Sequence, residues 1–150
     1  MDYPDLGPFG MRFDPVQFFA VASNVGHGQA LGIEYCQSGD DWVELALPWR
    51  EQLVSFRATG VLASGAIISL FDTCGGAAVW LTQGSYRPLV TIDLRLDYFR
   101  PAAKNERVIA RCRCDRLTRQ IGFVSGTAHT GDPERPLARA TATYIIDKAA

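Results

Sequence analysis

Residues 61–84 read VLASGAIISLFDTCGGAAVWLTQG, and Asp72 is the single charged side chain between Arg57 and Arg87. From about Ser64 to Gln83 the apolar density, the length and the closing Gly84 predict one long helix. A helix apolar on nearly every side belongs in the interior of a domain, and Asp72 with two adjacent glycines at its centre argues against a membrane span. A carboxylate in such a segment costs free energy unless it is paired or put to use. Asp72 is therefore the first candidate for chemistry; its plain alternative is a carboxylate that merely hydrogen-bonds a neighbouring hydroxyl or amide. Gly75 and Gly76 each cost roughly 1 kcal/mol of helix propensity, and close approach of the helix backbone to a sheet or a second helix would compensate.

On the N-terminal side, Asp14 followed by Pro15 fits an N-cap and a first helical position, so a short helix is expected over about 15–23. Residues 31–37 and 41–47 read as a strand pair around SGDD, and 48–60 as a long loop. On the C-terminal side everything alternates: strands are expected at 90–99, 106–116, 120–130 and 137–146. Their short separators, RPAAKN, LTR and GDPERP, predict an antiparallel meander. In the first of these strands Ile92, Leu94, Leu96 and Tyr98 should share one face and Thr91, Asp93, Arg95 and Asp97 the other. One apolar helix with about six antiparallel strands predicts an α+β fold, a curved sheet wrapped around a central helix. The chain 1–150 reads as one domain, with residues 1–29 as a helix-and-loop extension.

With 47% hydrophobic and 21% charged residues and a net charge of -1, the composition suits an ordinary soluble domain. Nucleic acid and membranes are not expected partners, and a cytoplasmic location is expected, since the N-terminus lacks the pattern of a secretory signal. The four cysteines, Cys36, Cys74, Cys112 and Cys114, should be free thiols. Cys112 and Cys114 alternate with Arg111, Arg113 and Asp115, which buries both sulfurs on one strand face. No metal site is expected, because these thiols and the remote His27 and His129 have no zinc spacing. His27 reads as a loop residue and His129 as the end of a strand.

Several ordered segments, ASGAIISLFD at 63–72, the GGAA that follows, TIDLRLDYFRPA at 91–102 and ATATYII at 140–146, resemble the hotdog-fold acyl-CoA thioesterases, in particular the phenylacetyl-CoA thioesterase-like branch. The likeness covers roughly residues 30–147. In that family the helix opens with His-Gly-Gly, with an acid eight residues after the first glycine. Here Asp72 falls on the acidic position, Ser64 on the first glycine and Gly65 on the second, while Ala63 stands where the histidine would be. The family's Asn or Gln, seven residues before the first glycine, corresponds to Arg57. A polar residue at the start of the next strand is kept as Thr91.

The resemblance implies hydrolysis of an acyl- or aryl-CoA thioester, with no metal or redox cofactor. Backbone N–H groups of Ser64 and Gly65 at the helix start would stabilise the developing oxyanion. Ser64 would have to hold a backbone conformation that glycine adopts more easily. Asp72 would attack the carbonyl or take a proton from water. Eight helical residues span about 12 Å, so one chain cannot aim both groups at one carbonyl, and two antiparallel helices in a homodimer would. The implied site combines Asp72 and Thr91 of one subunit with Ser64 and Gly65 of its partner, and hotdog dimers often pair again into tetramers. Arg100, Lys104 and Arg107 are candidates for the CoA phosphates, with solvated turn charges as the ordinary alternative. Phe56, Phe71 and Tyr98 are candidates for an acyl pocket. The alternative function is a catalytically idle hotdog protein that binds acyl-CoA or another apolar ligand.

Overall fold

The computed structural model describes residues 11–147, so the first ten residues of the N-terminal extension lie outside the described residues. Asp14 caps α1 (Pro15–Ala22) by accepting from Val16 N at 2.9 Å and Gln17 N at 3.2 Å, with Pro15 where a missing N–H costs nothing. A second helix, α2 (Gly26–Leu31), takes the place of the expected loop around His27. Gly32 ends it at φ 74°, its N–H bonded to the carbonyls of Gln29 and Gly28, which is why β1 (Glu34–Ser38) starts later than residue 31. β2 (Trp42–Leu47) folds back on β1, and the loop that follows contains one 3-10 turn, Glu51–Leu53.

The long helix α3 (Ser64–Gln83) has the expected bounds and ends on Gly84 at φ 75°. Ten of its residues, from Ala66 to Val79, are buried. The strands β3 (Leu89–Tyr98), β4 (Val108–Leu117), β5 (Ile121–His129) and β6 (Ala138–Ile146) join β1 and β2 in one antiparallel sheet of order β1-β2-β4-β5-β6-β3. The sheet lies around α3, which touches β2 through β6, and this is the hotdog arrangement. On β4, Cys112 and Cys114 are buried while Arg111, Arg113 and Asp115 are exposed, as the alternation requires.

Two expectations about β3 are corrected. β4, β5 and β6 form a meander, but β3 pairs with β6 at the far edge. After β3 the amides of Phe99 and Arg100 both bond to Leu137 O, at 2.8 and 3.3 Å, which turns the chain along the start of β6. The segment 99–107 then passes the ends of β6 and β5 to reach β4, a crossing that its length disguises as a hairpin loop.

The faces of β3 also differ from strict alternation. The register shifts between Thr91, opposite Tyr144, and Asp93, opposite Thr143, so Ile92 is an extra residue in a bulge. Ile92 is 56% exposed, whereas Leu94 and Leu96 pack on the core. The inserted residue brings Thr91 onto the helix-facing side, which an unbroken period of two denies it.

Candidate active site

α3 presents Gly65, Ser69, Asp72, Gly76 and Trp80 at intervals of three and four residues, one stripe of the helix surface. Much of that stripe borders a cavity of about 270 Å3, walled by Phe18 and Phe19 of α1, His27 of α2, Trp80 and Asp72 of α3 and Thr91 of β3. Its apolar wall is largely aromatic, with Ile33 and Leu89 beside the rings. Of the rings expected to line a pocket, Phe71 is sealed in the core, Phe56 is 73% exposed on a loop, and Tyr98 lines a separate groove beside Ser64.

Asp72 is held from two adjacent strands. Thr91 Oγ1 donates to Asp72 Oδ1 at 2.8 Å, and Tyr144 Oη donates to the Asp72 backbone carbonyl at 3.0 Å. Oδ2 has no hydrogen-bond partner among the described residues, and no cation there lies within ion-pair distance of the carboxylate. Tyr144 is buried, and burial first, then the nearby charge of Asp72, pushes its phenol well above the ordinary tyrosine value. It is a permanent donor at neutral pH. Gly75 makes this contact possible, since a Cβ there would collide with the Tyr144 hydroxyl. The close approach at Gly75 is therefore to one phenol and not to sheet backbone, and a Cβ on Gly76 would meet only ordinary contacts, the nearest at 3.8 Å.

His27, expected as a loop residue, instead sits on α2 and reaches α3. Its Nε2 lies 3.1 Å from Ser69 Oγ, and Ser69 Oγ lies 3.1 Å from Gly65 O. A carbonyl cannot donate, so the one hydroxyl proton of Ser69 goes to Gly65 O, and the contact with His27 uses the proton on Nε2. This fixes the imidazole and ties α2 to α3.

At the start of α3, Ala63 offers no side-chain cap, and its own N–H is taken by Leu53 O at 2.8 Å. Ser64 and Gly65 are exposed, and N–H groups in the first turn have no intrahelical acceptor. Ser64 does not have a positive φ, so serine serves in place of glycine without backbone strain. Arg57 is exposed on the preceding turn.

The three candidate phosphate ligands have separate neighbours in the protomer. Arg100 pairs with Glu106 at 3.7 Å and donates to Thr130 Oγ1 at 2.9 Å, Arg107 pairs with Glu34 at 2.9 Å, and the Lys104 stem lies against Gly60.

The family model described as Thioesterase superfamily matches residues 59–137, more than half of the chain. The chain belongs to the thioesterase superfamily. The matched part of this thioesterase-superfamily chain includes Ser64, Gly65, Asp72 and Thr91 and leaves out α1 and α2. A Haemophilus influenzae protein that bears an esterase name is 31% identical over 91 residues, 61% of this chain; the match spans 64% of that relative's length, under two thirds. The Escherichia coli medium/long-chain acyl-CoA thioesterase YigI is 27% identical over 131 residues, covering 79% of this chain and 83% of its own. The crystal structure of a thioesterase from Haemophilus influenzae superposes with a TM-score of 0.78 at 24% identity over 93% of this chain and 94% of that one, a likeness of fold.

Proposed function

We propose that the protein is an acyl-CoA thioesterase acting as a homodimer. The observation that carries this reading is the Asp72 carboxylate, fixed at one oxygen by Thr91, unpaired with any described cation and set in an aromatic-walled cavity. Water held at Oδ2 gives a proton to Asp72 as its oxygen bonds to the thioester carbonyl carbon; the C–S bond then breaks, and the CoA thiolate leaves and is protonated. Direct attack by Asp72, followed by hydrolysis of the anhydride, uses the same geometry. The Ser64 and Gly65 amides of the partner subunit receive the oxyanion, since those of the same chain lie about 12 Å from Asp72. The reaction so written uses no metal or redox cofactor.

A partner chain also suits the surface that one protomer leaves open. Among the described residues β3 is an edge strand, and Val90, Ile92, Tyr98 and Phe99 along it are exposed, as is Ile68 of α3. An unpaired edge lined with apolar side chains favours burial against a second copy. The acyl group enters the cavity between α1 and α3. A volume near the lower end of common ligand pockets fits an acyl group of modest size, aliphatic or aromatic.

The test is release of free CoA thiol from short, long and aromatic acyl-CoA esters by the wild type and by Asp72→Asn. Turnover in the first and its loss in the second supports the reading. A silent wild type that still binds the esters points instead to a ligand-binding protein.

A further inference from the structure

The first peptide group of α3 joins Ser64 to Gly65. Its N–H is an oxyanion donor in the reading above, on which this inference rests. Its carbonyl oxygen, on Ser64, accepts a hydrogen bond from Tyr98 Oη at 3.0 Å. The two ends of a peptide group are coupled by resonance across the C–N bond. A donor at the oxygen draws electron density away from nitrogen and makes the N–H a stronger donor in turn, the basis of cooperativity in hydrogen-bond chains. Burial raises the Tyr98 phenol above its ordinary value, so it remains a donor at neutral pH.

Thr91 joins Tyr98 on the helix-facing side because of the bulge. Thr91 and Tyr98 are seven residues apart on β3, an odd separation that puts side chains on opposite faces of a regular strand. The extra residue at Ile92 restores the parity, and both hydroxyls meet the helix: Thr91 at Asp72 and Tyr98 at Ser64. In a two-chain site Asp72 of one protomer works with the helix start of the other. Each β3 therefore serves two sites, one through Thr91 and one through Tyr98.

We propose that Tyr98 is a positioning residue for thioester hydrolysis, holding and polarising the Ser64–Gly65 peptide so that the Gly65 N–H binds the oxyanion more strongly. One oxyanion donor is worth about 100- to 1,000-fold in kcat, and a cooperative gain of about 10–30% of that free energy is roughly two- to eightfold.

The test compares wild type, Tyr98→Phe and Asp72→Asn in release of CoA thiol from a panel of acyl-CoA esters, alongside the amide resonance of Gly65 in 15N-labelled wild type and Tyr98→Phe. Expected are an upfield shift of the Gly65 amide proton in Tyr98→Phe and a two- to eightfold fall in kcat with KM within twofold. A tyrosine that only braced the fold would lower thermal stability and move KM with kcat. An unmoved Gly65 resonance overturns the proposal, as does a loss confined to KM. A wild type that Asp72→Asn silences and Tyr98→Phe leaves unchanged overturns the role of Tyr98 alone. A wild type silent on every ester overturns the thioesterase reading, and the catalytic role of Tyr98 with it.

Discussion

Thr91 and Tyr144 stand directly opposite each other on β3 and β6, and both hydroxyls donate to the same residue of α3. Thr91 takes a side-chain oxygen of Asp72, and Tyr144 takes its backbone carbonyl. One cross-strand pair thus fixes both the carboxylate and the turn of helix that bears it. Such a grip fixes where the second carboxylate oxygen of Asp72 points.

Replacing Thr91 by Val removes the hydroxyl and keeps the branched shape. The lost bond to a charged acceptor is worth at most about 1.5–3 kcal/mol of stability, so the melting temperature should fall by a few degrees, and with Asp72 no longer aimed kcat should fall about tenfold or more. Thr91→Ser should restore most of the rate. A rate that Thr91→Val leaves unchanged while the melting temperature falls would mean that the hydroxyl braces the strand and does not aim the carboxylate.

The two central glycines of α3 should behave oppositely. Gly75→Ala drives a methyl into the Tyr144 hydroxyl and should destabilise by about 1–3 kcal/mol, as overpacking does. Adding Tyr144→Phe should recover part of that loss, a non-additivity readable in a double-mutant cycle by chemical denaturation. Gly76→Ala finds room and should gain up to about 1 kcal/mol of helix propensity. Equal losses at both positions would refute this account.

How far the sequence could be read follows from the range of the interactions. The bounds of α3 and the isolation of Asp72 are local properties, and both were legible in residues 61–84. The pairing of β3 with β6 was not, because the tight-looking RPAAKN separator conceals a crossing past two strands. The bulge was hidden because its extra residue, Ile92, is apolar and continues the expected pattern. Tyr144 and His27 meet α3 across 72 and 42 residues of sequence, respectively. Only Tyr144 left a trace, as the lone aromatic in the alternating ATATYII; His27, between two glycines, left none.

His27→Ala should loosen the N-terminal helices over the cavity. The lost Nε2–H to Ser69 bond ties α2 to α3, so amide exchange across Gly26–Leu31 should quicken and KM for acyl-CoA esters should rise. His27→Gln can still offer an N–H and should sit between wild type and Ala. Unchanged exchange in His27→Ala would show that packing of Phe18 and Phe19 alone holds the helices down.

Alkaline conditions should cost stability through the buried phenol and thiols. The neighbouring Cys74 thiol and burial hold Cys112 well above the ordinary 9.0, while burial and the Asp72 charge hold Tyr144 well above the ordinary 10.0. Both groups keep their protons more tightly in the fold than in the unfolded chain. Their contribution to stability is therefore complete below the ordinary values and is lost as pH rises above them. The denaturation midpoint should fall from about pH 9 upward, and the part of that fall above pH 10 should be shallower in Tyr144→Phe, which has no phenol to ionise. At neutral pH the same variant should be less stable by about 1 kcal/mol, the worth of its bond to the Asp72 carbonyl, so the two curves should converge as the solution becomes more alkaline. Parallel curves across that range would mean that the Tyr144 hydroxyl is open to solvent and that its hold on α3 is absent in solution.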